Sequence, residues 1–226
     1  MKKKPFYSEL AYVFGILLLA LGTALMERAD FGISMVVAPA YLLHLKLSQF
    51  LPFFTFGMAE YTFQALLLLI TVLVLQKSKL SFLFSFVTAV LYGLSLDGMM
   101  LFVRIVPFSS LFLRILLYIL GFLLCCAAIA MLFRTYISPE VYELFVKGIA
   151  EKYRFNLHKV KTVYDLSSCL LAILLSFAFF GLWHFEGIKL GTILCTLVNG
   201  YTISLFSKLF DKFTVPRDAL PLRRFF

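Results

Sequence analysis

The stretch GILLLALGTALMER, Gly15–Arg28, decides the fold. It closes an uncharged apolar run from Leu10 to Met26. Such a run fills the ~17–25 residues that a helix needs to cross a bilayer, and it exceeds the ~7–15 residues of a signal-peptide core. Glu27 and Arg28 follow it directly, with no small-residue cleavage pattern, so it reads as a retained span. Working outward, the same test finds further spans at 54–75, 81–103, 109–133, 160–181 and 190–210, after a first span at 8–26. The expected fold class is therefore all-α: a polytopic six-helix transmembrane bundle in a single domain.

Composition agrees. The chain has 226 residues, 62% hydrophobic and 15% charged, with a mean hydropathy of +0.96. Soluble domains carry about 25% charged residues. A soluble fold of this size could not hide so much apolar surface, whereas lipid removes the need to. Two further segments read as helical but too short to span. Residues 33–47 are broken by Pro39. Residues 139–153 (PEVYELFVKGIAEKY) are amphipathic, with Ser138 as N-cap and Pro139 at the first helical position. These are amphipathic or re-entrant helices after spans 1 and 4. The tail after Phe213 reads as extended.

The net charge of +9 is distributed by topology rather than as a nucleic-acid footprint. With the N-terminus inside, sixteen of the 21 basic residues fall on inner segments: the first seven residues, 76–80, 134–161, and the stretch from Lys208 onward. Arg28, Lys46, Arg104 and Lys189 fall outside, and Arg114 within a span. The positive-inside rule then gives a multi-pass cell-membrane protein with both termini cytoplasmic. Its basic face would meet anionic inner-leaflet lipid.

Gly15–Arg28 aligns without a gap on Gly121–Arg134 (GFLLCCAAIAMLFR), and each leads into a short helical segment and another span. Gly93 then corresponds to Gly200, and Ser85 to Thr192. Two units, about 8–105 and 109–212, each hold three spans. An odd count forces the second unit to enter from the opposite side, which is the inverted-repeat architecture of many secondary transporters.

The pattern G-x6-G-x-A-L-x-x-x-A-x-x-G-I-S at Gly15–Ser34 resembles the YczE/YitT-type bacterial membrane proteins. So do Gly93-x3-Asp97, Ser138-Pro139-Glu140, Lys161-x3-Asp165, Gly187-x3-Gly191-Thr192 and Asn199-Gly200. The sequence departs from that pattern at Met35, where proline is expected, and at Glu140, where aspartate is expected. The resemblance implies a multi-pass cell-membrane protein and no particular substrate.

Ionisable and amide side chains inside spans are costly, so they are the candidate substrate- or ion-binding residues. Glu60 and Gln64 lie one turn apart on span 2, with Thr71 further along; they line a cavity, or mark an interface and an interhelical bond. Asp97 and Arg114 reach similar depths in spans 3 and 4 and could pair; alternatively Arg114 snorkels and Asp97 caps the segment 98–105. Asp165 shares a small, polar face with Ser168, Cys169, Ala172 and Ser176, and Lys161 stands one turn before it. Asn199 sits near mid-membrane on a stripe with Thr192, Cys195 and Thr196, which faces the bundle. Span 4 carries a comparable face: Arg114, Tyr118, Gly121, Cys125 and Ala128.

Cys125, Cys126, Cys169 and Cys195 lack metal-ligand spacing and read as small apolar packing residues. The 27 phenylalanines read mostly as lipid-facing bulk. His44 and His184 both fall on the expected exterior, and His158 inside. No HExxH, GxSxG, Walker or GxGxxG pattern occurs, so neither an enzyme nor a cofactor site is expected. The leading function is transport of an unidentified small solute by alternating access. One alternative is a substrate-binding S-component of an ATP-driven transporter, docking an ATPase partner through Ala20-x3-Ala24. Another is a membrane scaffold or regulator holding a partner on the basic 134–161 face. A homo-oligomer fits any of these.

Overall fold

A computed structural model describes residues 4–76, 80–105, 110–181 and 186–218. Eight helices carry these residues: α1 Ser8–Ala29, α2 Ala38–Leu47, α3 Phe56–Leu75, α4 Leu80–Arg104, α5 Leu111–Leu132, α6 Val141–Tyr153, α7 Leu157–Phe180 and α8 Leu190–Phe213. Six of them, α1, α3, α4, α5, α7 and α8, are long and apolar enough to cross a membrane. The chain is an integral membrane protein with an all-α bundle. Two short strands, β1 Lys4–Tyr7 and β2 Thr214–Arg217, pair in parallel beside the start of α1 and the end of α8. That pairing brings both ends of the described chain to one face of the bundle, here the terminal face.

The six spans match the expected runs to within a few residues, because lipid thickness fixes their length. The short helices needed correction. Pro39 does not break α2; it occupies its first turn, where the missing N–H is not needed. Helix α6 begins at Val141 with Glu140 as N-cap, two residues later than Ser138 and Pro139 would give. The Ser138 carbonyl instead accepts a bond from Thr88 Oγ1 of α4 (3.0 Å). Both short helices are re-entrant. Helix α6 starts beside Gln64, near the midpoint of α3, and ends where Lys152 Nζ donates to Val74 O in the last turn of α3 (2.7 Å). Helix α2 follows Met35, whose sulfur accepts from Thr196 inside α8 (3.1 Å), and ends where Lys46 Nζ donates to Phe179 O at the far end of α7 (3.2 Å). The N-termini of two half-helices thus point into the bundle from opposite faces.

The centre is the crossing of α1 and α5, where backbones touch. A Cβ on Gly22 would lie 2.6 Å from Gly121 O, and a Cβ on Gly121 would lie 2.7 Å from Gly22 O. Around it, several packed pairs have counterparts four helices on: α1 packs on α4 and α5 on α8, α2 on α3 and α6 on α7, α2 on α7 and α6 on α3. Two relations do not recur: α4 also packs on α6 with no comparable packing of α8 on α2, and a second difference is larger. Helices α3 and α4 pack closely, with a Cβ on Gly93 only 2.7 Å from Gly57 O, whereas α7 and α8 stand apart and a Cβ on Gly200 would meet nothing within 4 Å.

Apolar side chains on the outer faces, such as Leu73, Phe102, Phe112 and Leu197, are exposed in the isolated chain, where lipid would cover them. The phenylalanines divide: Phe56 and Phe82 are buried in the bundle rather than lipid-facing. His184 lies outside the described residues, as does the tail beyond Asp218.

Candidate functional site

Glu60 and Gln64 sit one turn apart on α3, where the i,i+4 spacing aims both at α6. Both are fully enclosed, at 0% exposure. Glu60 therefore does not mark an interface. The backbone N–H of Val141, one of the orphan donors at the start of α6, donates to Gln64 Oε1 (3.1 Å). That bond fixes the amide orientation and turns Nε2 toward two carboxyl groups: Glu60 Oε2 at 3.4 Å and Glu140 Oε2 at 3.3 Å. The Tyr142 hydroxyl donates to Glu60 Oε2 (2.9 Å). Glu140 is 6% exposed, and although it is the N-cap residue of α6 its side chain does not cap that helix. The second oxygens of both acids, Glu60 Oε1 and Glu140 Oε1, have no hydrogen-bond partner. Burial, then the neighbouring acids Glu60 and Glu143, push the Glu140 carboxyl well above the usual carboxylate range, against Gln64 and Lys161. Burial likewise raises the Tyr142 phenol.

Glu140 lines a small cavity of about 60 Å³ between the N-terminal ends of α2 and α6, at the α1–α5 crossing. That is room for a few waters. Thr23, Tyr92, Cys195, Thr196 and Asn199 supply its polar wall. The Thr23 hydroxyl is bonded to the Tyr92 hydroxyl (3.0 Å), and Cys126 Sγ donates to Asn199 Oδ1 (3.4 Å). A larger cleft of about 420 Å³ separates α7 from α8 toward the terminal face. The two spaces share Glu143, Lys161 and Asn199 in their walls. Lys161 Nζ pairs there with Glu143 Oε1 (2.9 Å) and with Asp165 Oδ1 (3.4 Å). The Lys161–Asp165 pair expected along α7 forms, and Glu143 of α6 joins it.

Toward the opposite face Asp97 and Arg114 are each held by helix-end groups, and a cleft of about 380 Å³ lies between α5 and α8 beside Phe122 and Cys195. Asp97 accepts from Gly57 N (2.8 Å) and Thr55 Oγ1 (2.6 Å), so it caps α3 rather than a segment of its own helix, which runs unbroken to Arg104. Arg114 donates to Ala29 O (2.9 Å) and pairs with Asp30 (3.3 Å), which Lys189 also engages. Among the described residues no ion pair joins Asp97 to Arg114; each ties a helix start to a neighbouring chain segment instead. His44 Nδ1 is bonded to Phe54 O (2.8 Å), and burial lowers its pKa. No three of the described His, Cys, Asp and Glu side chains gather as metal ligands.

The six expected residues therefore fall into three places. Glu60 and Gln64 meet at the buried centre, Asn199 and Asp165 line the cleft beside it, and Asp97 and Arg114 tie helix ends toward the far face. A family of unknown function, DUF6198, matches the chain over residues 6–208. The chain belongs to that family. The matched span contains the whole of this site. No curated protein and no solved structure matches the chain.

Glu140, Tyr142 and Glu143 were missed as site residues because they lie outside the six spans, where a charge has no apparent cost. A signal was present: Gln64 is an amide deep in a span, with donors and acceptor that Glu60 alone could not satisfy. A second polar segment had to reach it, and the Ser138-Pro139-Glu140 helix start was the available one.

Proposed function

We propose that this DUF6198 member is a secondary transporter, carrying a small solute across the cell membrane by alternating access between two inverted halves. The carrying observation is the unequal packing of corresponding helices. Near one face α3 and α4 meet backbone to backbone, capped by Asp97, while near the terminal face α7 and α8 stand apart around the larger cleft. An exchange in which α7 and α8 close while α3 and α4 open would present the central cavity first to one side and then to the other. Half-helix N-termini aimed at that cavity fit the same reading, because such ends hold polar and charged groups at mid-membrane. The distribution of basic residues supports a cytoplasmic terminal face, and the resemblance to YczE/YitT-type proteins supports a cell-membrane setting.

The S-component alternative loses the feature that motivated it. Ala20 and Ala24 are 0% exposed within the bundle, so they offer no docking face to an ATPase module. Of the six basic residues in 134–161, three are engaged by the bundle, while Lys147, Arg154 and Lys159 stay exposed and leave the scaffold reading half of its face. Arg134 binds the Ser207 carbonyl and pairs with Asp211 (2.7 Å), Lys152 binds α3, and Lys161 is held by two acids.

The test is accessibility. With the native cysteines replaced, Ser204→Cys in the cleft should react with an impermeant maleimide from the terminal face. Met100→Cys, at a buried position of α4 toward the far face, should not react from that side. Disulfide locking of α7 to α8 should protect the first position and expose the second. A lock that leaves the second position unreactive would refute alternating access.

A further inference from the structure

We propose that Glu60 and Glu140 form one proton-binding site, filled and emptied through the cavity that Glu140 lines, and that the proton is the coupling ion of the transport reading above, on which this second part rests. Two carboxyl groups from different helices meet on a single amide donor, Gln64 Nε2, and each keeps one buried oxygen without a partner. Two ionised carboxylates so placed repel, and among the described residues no cation forms an ion pair with either. A proton on the pair removes one charge and supplies the donor that the orphaned oxygens lack. A metal ion would not be served: hard cations take about six oxygens, whereas Gln64 Oε1 is occupied by Val141 N–H and the Tyr142 hydroxyl donates to Glu60.

The surroundings neither neutralise the pair nor replace the proton. From α1, Tyr12 is bonded to Thr88 (2.8 Å) and is felt only through space by Glu140. From α4, Tyr92 faces both acids but is bonded to Thr23, and from α5 the nearby Cys125 is bonded to Thr23 and to Leu19 O. On α6 itself, Tyr142 already donates to Glu60 and Glu143 is a further acid. From α7, Tyr164 lies near Glu60, while Lys161, the cation that Glu140 feels, is divided between Glu143 and Asp165. The arrangement gives the proton a route as well as a place. Glu140 borders the central cavity, and Lys161 and Glu143 border both that cavity and the cleft toward the terminal face.

Infrared difference titration of the full chain in liposomes reads the protonated-carboxyl band without any solute. The wild type should show a band that titrates above the ordinary carboxylate range. Glu140→Gln should shift it to lower pH, because Glu60 stays buried while the neighbouring charge is gone, and only the two glutamine substitutions together should remove it. Glu60→Gln should leave a band shifted to lower pH, since the neighbouring like charge is gone, and exposed Glu151→Gln should change nothing. If both pair variants keep the wild-type band, the site is refuted. Should a glutamine variant fail to fold, Glu140→Asp serves: an unmoved titration there also refutes the site. Coupling is read separately from maleimide labelling of Ser204→Cys across the same pH range. Labelling that follows the infrared titration, and shifts with the band in Glu140→Gln, supports proton coupling. Flat labelling overturns it. If the lock described above fails to exchange the two faces, the transport reading falls, and the infrared result still judges the proton site.

Discussion

Replacing Gln64 by leucine tests whether one amide holds α6 at mid-membrane. Leucine is close to glutamine in size, so no sizeable cavity opens, and what is lost is bonding. Three contacts disappear: the 3.1 Å bond from Val141 N–H, and the longer contacts to Glu140 and Glu60 at 3.3 and 3.4 Å. A buried N–H left without a partner costs about 1–3 kcal/mol. The contact to Glu140 matches the ~0.6 kcal/mol typical of interhelical bonds in membranes, and the contact to Glu60, within α3, adds about 0.2–0.5 kcal/mol. The sum is roughly 2–4 kcal/mol. Thr71→Val provides the comparison on the same buried face, because the Thr71 hydroxyl donates to Leu67 O within its own helix (2.7 Å). Its removal should cost at most about 0.5 kcal/mol. Reversible unfolding in bicelles measures both, and hydrogen exchange at the Val141 amide locates the damage. Gln64→Leu should speed that exchange by opening the start of α6 locally. A Gln64→Leu protein as stable as Thr71→Val, with Val141 still protected, would refute the claim that this amide anchors the half-helix.

Gly22→Val should destabilise by about 1–3 kcal/mol through overlap with the Gly121 backbone and Cys125, whereas Gly200→Ala, with nothing within 4 Å, should stay within about 0.5 kcal/mol in the same unfolding assay. Asp97→Ala removes the acceptor of two bonds at the start of α3; it should cost about 2 kcal/mol and raise maleimide labelling of Met100→Cys from the far face. The raised Glu140 pKa sets a direction with pH: stability from its neutral carboxyl is complete below the ordinary value of 4.5 and is lost as pH rises through the folded value. Thermal unfolding across that range should fall in the wild type and flatten in Glu140→Gln. His44 runs the other way, since its lowered pKa gives stability that is present above 6.5 and lost as pH falls through the folded value; His44→Gln should reduce the acid sensitivity.

The bundle was legible because lipid imposes one dominant constraint on helix length and charge. That constraint acts residue by residue, so α1, α3 and α8 could be bounded from the apolar runs alone. Partner choice obeys no such local rule. Asp97 and Arg114 reach matching depths, yet depth says nothing about rotation around the helix axis. Asp97 turns toward the unsatisfied N–H of Gly57, and Arg114 toward the carbonyl at the end of α1. Backbone groups at helix ends compete for buried charges on equal terms with other charges, and a reading confined to side chains overlooks them. The same blindness hid Glu140. Its cost becomes visible only once α6 is known to turn back into the membrane, and that return is fixed by a backbone N–H meeting Gln64. An acid carried inward in this way, beside a second acid and with Lys161 already held by Glu143 and Asp165, can lower its charge most readily by holding a proton. The feature least visible in the sequence is therefore the one with the most direct claim to chemistry.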